Sequence, residues 1–294
     1  MENPKRRFGD RRDGYWLRDL DSMHGVTPYL YPNRADNEAF IQERIDLTPL
    51  IAYLEKKNAE NPNPEFKYTF FHALLAAFVK TVTLRPKMNR FIQGNRIYQR
   101  NELTAAFVIK KQFNDESHEA LAFLHFGPES TLDTIHQQLY KEIHTYRHTE
   151  SVDNTTQAMD MFMKFPRWVL RIAMAVLRRL DYYGRVPLSL CKTDPNYATV
   201  FLSNLGSIKL NAAYHHLNNW GTNSFFVTIG EKHMAPFYDA EGNVTMRPSL
   251  NLGLTIDERI ADGYYYSKTV KLLKHILANP ELLDQPANVE VDYE

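Results

Sequence analysis

The stretch from Leu250 to Ile256 constrains this chain more than any other. Leu250, Leu252, Leu254 and Ile256 alternate with Asn251, Gly253 and Thr255. A period of two places the four aliphatic side chains on one face of a strand. The sheet holding it therefore needs an apolar layer on one side. That layer is legible elsewhere in the sequence. Phe70 to Leu84 is apolar nearly all round and ends before Pro86, the pattern of a helix buried on most sides. Thr48-Pro49 opens a second helix, with Leu50, Ile51 and Leu54 at one-turn spacing and a stop at Asn61-Pro62-Asn63-Pro64. Ser130, with Asp133 three residues on, is expected to cap a third helix whose stripe is Leu132, Ile135, Leu139 and Ile143. A hydrophobic helix runs from about Arg167 to Leu180. The last one buries Val270, Leu273, Ile276 and Leu277 and stops at Asn279-Pro280.

Strand patterns fill the gaps. Arg90 to Ile92, a Gly94-Asn95 turn, Arg96 to Tyr98, Leu103 to Ile109 and Ala120 to Phe126 read as one antiparallel run. Thr199 to Leu202 and Phe225 to Ile229 add two more strands, and Ala240-Glu241-Gly242-Asn243 marks a turn before the longest one. Helices alternate with strands, no internal repeat occurs, and no glycine- or serine-rich linker divides the 294 residues. The expectation is a single α/β domain over residues 41–285. Residues 1–40 form an aromatic and proline-rich arm packed on the body, and 286–294 form a tail.

Composition narrows the function. With 44% hydrophobic and 24% charged residues the chain matches an ordinary globular protein. Lysine plus arginine equals aspartate plus glutamate at 35 each, so no net positive field gathers a nucleic acid. Cys191 is the only cysteine, which forbids an internal disulfide and a multi-cysteine metal site and suits a reducing cytoplasm. Lys5 to Arg12 is basic like a signal peptide's start, but no apolar stretch follows. Trp168 to Leu180 is the longest greasy region. Arg171 breaks it and Arg178-Arg179 close it, well short of the roughly 20 residues of a membrane span. Such an amphipathic helix could lie on an anionic membrane, although packing against the sheet is the expected fate.

Three constellations could carry chemistry. His144 and His148 stand one helical turn apart, but no third ligand lies at motif distance, so they read as ordinary helix histidines and no metal is expected. His215-His216 follow a strand near Tyr214 and Trp220 and read first as packing residues. The third is the end of the alternating strand, where Asp257-Glu258-Arg259-Ile260-Ala261-Asp262-Gly263 crowds four charged side chains into one strand-to-helix corner.

That corner resembles the catalytic domain of the dihydrolipoamide acyltransferases of 2-oxo acid dehydrogenase complexes, and chloramphenicol acetyltransferase, which shares its fold. The family carries His-x-x-x-Asp-Gly where this chain has Glu258-Arg259-Ile260-Ala261-Asp262-Gly263. Its strand-ending Ser-Asn-Leu-Gly-like motif is matched by Ser203-Asn204-Leu205-Gly206, and Ile229-Gly230, Gly94 and Asn279-Pro280-Glu281-Leu282-Leu283 also fit. The resemblance implies a two-layer sandwich, a mixed and largely antiparallel sheet with helices packed on it. It further implies a homotrimer with active sites between subunits and coenzyme A or a lipoyl carrier as thioester. Ser203, supported by Asn204, would hydrogen-bond the oxyanion. Asp262 would pair with an arginine to hold the loop, and Gly263 would let the chain turn closely into the helix.

Two departures follow from the resemblance. Glu258 stands in place of the general base. Moving a proton from a thiol of ordinary pKa costs roughly 2.7 kcal/mol to histidine and roughly 5.7 to glutamate, a gap on the order of 100-fold in rate. Burial in an apolar tunnel would recover part of it. His215 or His216 could act instead, but sequence spacing places neither near Glu258. The arm also lacks a lipoyl domain and its alanine- and proline-rich linkers, so any lipoyl carrier is expected in trans. An acyltransferase with an unknown acceptor is one reading. A catalytically inactive trimeric scaffold or acyl-ligand-binding protein is the other.

Overall fold

The computed structural model describes residues 5–110, 119–148, 162–192 and 194–293. In chain order the strands are β1 (Gly14–Trp16), β2 (Glu38–Asp46), β3 (Arg90–Gln93), β4 (Arg96–Arg100), β5 (Leu103–Lys110), β6 (Glu119–Phe126), β7 (Val200–Asn204), β8 (Phe225–Ile229), β9 (His233–Tyr238) and β10 (Val244–Asp257). The helices are α1 (Ser22–Leu30), α2 (Thr48–Ala59), α3 (Phe70–Leu84), α4 (Leu132–His148), α5 (Arg167–Tyr182), α6 (Leu188–Cys191) and α7 (Gly263–Ala278).

Seven strands make the main sheet, in the order β2-β10-β8-β7-β5-β6, with β9 paired to the first half of β10. Strand β7 is parallel to β5 and β8 and every other pairing is antiparallel, so the sheet is mixed. The alternation in β10 does what a period of two demands. Leu252, Leu254 and Ile256 are buried beside Val227, Leu202 and Phe107 on one face, under α2, α3, α4 and α7.

Helix α3 lies at the centre of that layer. Even Lys80 is buried there; its ammonium donates to the Pro286 carbonyl at 2.7 Å, and burial lowers its pKa. A capping box joins Thr69 to His72 at its start. Helix α4 buries Leu132, Ile135 and Leu139 as expected, but its cap falls one residue later than Ser130. Thr131 and Thr134 each accept the other's backbone N–H, while the Ser130 hydroxyl is engaged backwards by Gly127 N.

The expected single antiparallel run is split in two. Strands β3 and β4 leave the main sheet and join β1 of the arm in a three-stranded sheet, order β1-β4-β3. Strand propensity marks a hairpin but does not say which third strand it will meet. The arm is tied in through buried arginines. Arg11 holds Asp13 at 2.9 Å and the Asp181 carboxylate at 3.3 Å. Strand β2 runs across residue 40 and pairs with β10 from Glu38↔Asp257 to Ser249↔Asp46.

Candidate active site at the end of the long strand

Strand β10 ends on Asp257, and a short 3-10 turn over Glu258–Ile260 leads into α7. The two adjacent carboxylates at this corner have opposite surroundings. Asp257 is 0% exposed. It accepts from Arg259 Nε and Nη2, both at 2.7 Å, and Arg34 Nε lies 3.6 Å away. The rest of the Arg34 guanidinium donates to the carbonyls of Asn218, Ile92 and Gly221. Burial pulls the Arg34 pKa down and Asp257 opposes it. Tyr266 closes the cluster, donating to the Asp257 carbonyl at 3.0 Å and accepting from Ala261 N. Glu258 is exposed instead. Its backbone N–H donates to the Asn37 carbonyl at 3.0 Å, and its carboxylate has no hydrogen bond or ion pair with a described residue.

Asp262 does not take the expected arginine. It caps α7, accepting from Tyr265 N at 2.8 Å, and that bond holds its carboxyl below the usual carboxylate range. Its nearest cation is Lys87, at 3.9 Å. The arginine-holding aspartate is Asp257, five residues earlier. The signal was present: three carboxylates surround Arg259 in sequence, and only the one that ends the buried strand sits where a guanidinium loses its water. Gly263 also departs from expectation, because a Cβ there would meet nothing within 4 Å.

Ser203 lies on the face of the sheet turned away from the helices. It is paired with Thr228, which is paired with Gly253. Ser203 is half-buried and its hydroxyl bonds to no described residue, while Asn204 is exposed and its carbonyl accepts from Ser207. Residues 211–217 run along this outer face. Ala213 lies over Gly253 and accepts from the Thr228 hydroxyl. His215 stacks on Phe226 with ring centroids 4.1 Å apart, and Tyr214 meets Phe40 at 5.1 Å. Leu217 N donates to the Glu38 carboxylate, beside Asp257 in the register. The segment thus begins at the level of Ser203 and ends at the level of the Glu258 corner. His215 and His216, which spacing alone could not place, lie along it and are exposed.

Within one chain Ser203 and Glu258 are not brought together. Glu258 is five residues past the register of Ser203, roughly 17 Å along the strand, and two strands across, roughly 10 Å. On the arm side of the Arg34–Asp257–Arg259 cluster a cavity of about 490 Å³ is lined by Gln93, Arg178, Asp181 and Trp220, with Arg34 and Arg259 in its wall. No sequence pattern marks it, because its lining comes from five separate segments. Among the described residues no group of three or more histidine, cysteine, aspartate or glutamate side chains could hold a metal ion. His144 packs against Tyr140, and the His148 side chain lies outside the described residues.

Residues 189–284 match the family described as 2-oxoacid dehydrogenases acyltransferase (catalytic domain). No curated protein matches the chain. Among solved structures it is similar to dihydrolipoamide acetyltransferase from Azotobacter vinelandii, at 14% identity and a TM-score of 0.60, covering 91% of this chain and 93% of that one. The truncated catalytic core of the 2-oxoacid dehydrogenase multienzyme complex from Thermoplasma acidophilum gives 13% identity and a TM-score of 0.53, covering 90% and 99%. A chloramphenicol acetyltransferase gives 13% and 0.54, also covering 90% and 99%. The chain therefore has the chloramphenicol acetyltransferase-like fold of these catalytic cores, and over residues 189–284 it matches the 2-oxoacid dehydrogenase acyltransferase family.

Proposed function

We propose that the protein moves an acyl group between a thioester and an acceptor, at a site formed where Glu258 of one subunit meets Ser203 of the next in a homotrimer. The thioester is that of coenzyme A or of a lipoyl carrier supplied in trans. One observation carries the reading. The carboxylate and the hydroxyl that the motif resemblance sets at the family's acid-base and oxyanion positions both lack a side-chain hydrogen bond to any described residue, on a fold shared with acyltransferases. The roughly 20 Å between them within one chain is compatible with a site completed by a neighbouring subunit. In the Azotobacter vinelandii enzyme a serine and a histidine, with an asparagine, have been investigated for their role in the catalytic mechanism.

In this reading Glu258 takes the proton of the attacking thiol or hydroxyl as that atom bonds to the acyl carbon. The carbonyl oxygen becomes an oxyanion and accepts from the Ser203 hydroxyl. Collapse of the tetrahedral intermediate breaks the bond to the leaving thiolate, which recovers the proton from Glu258. Arg259 and Arg34, spent on Asp257, hold the backbone of the corner and touch no reacting atom.

A second reading, the inactive scaffold or acyl-ligand-binding protein, is favoured by the solvation of Glu258 in the single chain. Acyl-coenzyme A turnover with thiol, amine and alcohol acceptors separates the two. Glu258→Gln should lower kcat/KM on the order of 100-fold, and Ser203→Ala by a similar factor. Glu258→His should raise it above the parent. A Glu258→Gln protein as active as the parent ends the role of Glu258. Coenzyme A binding without turnover, unaltered in Ser203→Ala, supports the scaffold.

A further inference from the structure

Helix α5 is the longest described helix that the core leaves out. Ten of its sixteen residues are apolar, yet none belongs to the buried cluster, and Asp181 at its end is its one buried residue. The inner side, including Leu170, Met174 and Leu177, is half-buried. On the outer side Trp168, Ile172 and Val176 are 66%, 58% and 52% exposed, one helical turn apart on a single stripe. Phe165 and Met163 continue the exposed apolar surface beyond the first turn.

Charge gathers beside this stripe. Residues 162–192 carry seven lysines and arginines against one carboxylate, in a chain whose totals are equal. That carboxylate, Asp181, faces inward to Arg11, Gln93 and Tyr197, so it screens nothing outside. Arg167 and Arg171 occupy the arc next to the stripe, Arg178 is exposed on the same arc where it also borders the cavity beside Arg34, and Arg179 lies against the rings of Tyr182 and Tyr183.

We propose that α5 docks the protein on an anionic lipid surface. Trp168, Ile172 and Val176 enter the boundary between headgroups and acyl chains, and the arginines meet lipid phosphates. No described helix is long and apolar enough to cross a membrane, so α5 lies in the plane of the surface. A second copy meeting this one through α5 on both sides would set the same cations face to face and repel them. An aqueous anionic partner would answer the arginines but not the exposed tryptophan-led stripe beside them. The docking does not depend on the acyl-transfer reading, since no residue of α5 has a part in it.

The test is co-sedimentation of the full chain with vesicles of phosphatidylcholine alone and of phosphatidylcholine with phosphatidylglycerol, at low and high salt. The parent should pellet with the mixed vesicles at low salt and not with phosphatidylcholine. Each arginine near the surface is worth about fivefold, so Arg171→Gln/Arg178→Gln/Arg179→Gln should lose on the order of 100-fold in partition. Trp168→Ser/Ile172→Ser/Val176→Ser should lose it too, with an unchanged melting temperature because the three side chains are exposed. Tryptophan emission should shift to the blue on binding in the parent and not in Trp168→Phe, which keeps Trp16 and Trp220. Failure of the parent to bind anionic vesicles at low salt overturns the proposal, as does a triple Gln variant that binds like the parent. If the parent binds no vesicle and the serine variant loses oligomeric mass, the stripe belongs to a contact between copies. If it binds only a soluble acidic protein, the surface belongs to a protein partner; both outcomes overturn the lipid assignment.

Discussion

Neighbouring residues 257 and 258 divide the work of the corner between structure and exposure. Among the described residues Asp257 is the one carboxylate in ion-pair contact with Arg259 and Arg34, so a single negative charge is shared by two guanidinium groups that are themselves buried. Removing one partner of a buried pair leaves uncompensated charge and costs about 3 to 5 kcal/mol. Asp257→Asn should therefore lower the urea midpoint strongly, with an unchanged slope. Glu258→Gln, which alters an exposed carboxylate with no described partner, should stay within about 0.5 kcal/mol of the parent in the same titration. Equal midpoints for the two variants would refute this division. The sequence marked residues 257–263 as one charged corner, because four charges packed between a buried strand and a helix have few places to go. It could not assign their roles. Which carboxylate is desolvated depends on Arg34, more than 220 residues away, and on a register in which β2 brings Asn37 and Glu38 alongside.

Among the elements, those with one clean period were legible and those without were not. β10 and α7 each show a single spacing to one apolar layer, α3 is apolar nearly all round, and each formed where its pattern places it. β2 escaped because both of its faces carry charge: Ile41 and Ile45 alternate with Glu43 on the helix side, while Arg44 interrupts the other. The segment over 211–217 has no period at all. Its path is written in the small residues beneath it. A Cβ at Gly253 would overlap the Ala213 carbonyl, and one at Gly230 would lie 2.5 Å from Ala212 N. Backbone contact of this kind cannot relax by turning a side chain. Gly253→Ala should cost about 1 to 3 kcal/mol and lower the melting temperature by a few degrees. It should also free Tyr214 and His215 from Phe40 and Phe226, read as faster hydrogen exchange over 211–217 than in β10. If the alanine variant exchanges like the parent, the segment is held by something other than this close approach.

At the scale of the whole molecule, the helix layer carries a built-in sensitivity to acid far from the corner. His72 of α3 and His136 of α4 are buried with ring centroids 4.8 Å apart, and Tyr68 stacks on His136 at 3.8 Å. His72 Nδ1 accepts from Thr69 N, which leaves Nε2 buried without a partner. Burial first, and the nearby His136 second, push the His72 pKa down to about 3. Burial likewise lowers His136, against the pull of Asp133. In the folded protein His72 stays neutral where the unfolded chain, at about 6.5, already binds a proton. The unfolded state holds more protons throughout that window, so stability rises with pH there and is lost as pH falls from about 6.5 toward 3. His72 alone should remove roughly 2 to 3 kcal/mol between pH 7 and pH 4.5. His72→Gln keeps an acceptor at the capping-box position and does not titrate. Its unfolding free energy, measured in urea across that range, should fall less steeply than the parent's by this amount. Parallel curves for the two proteins would show that the imidazole is protonated in the fold, and that the acid lability arises elsewhere.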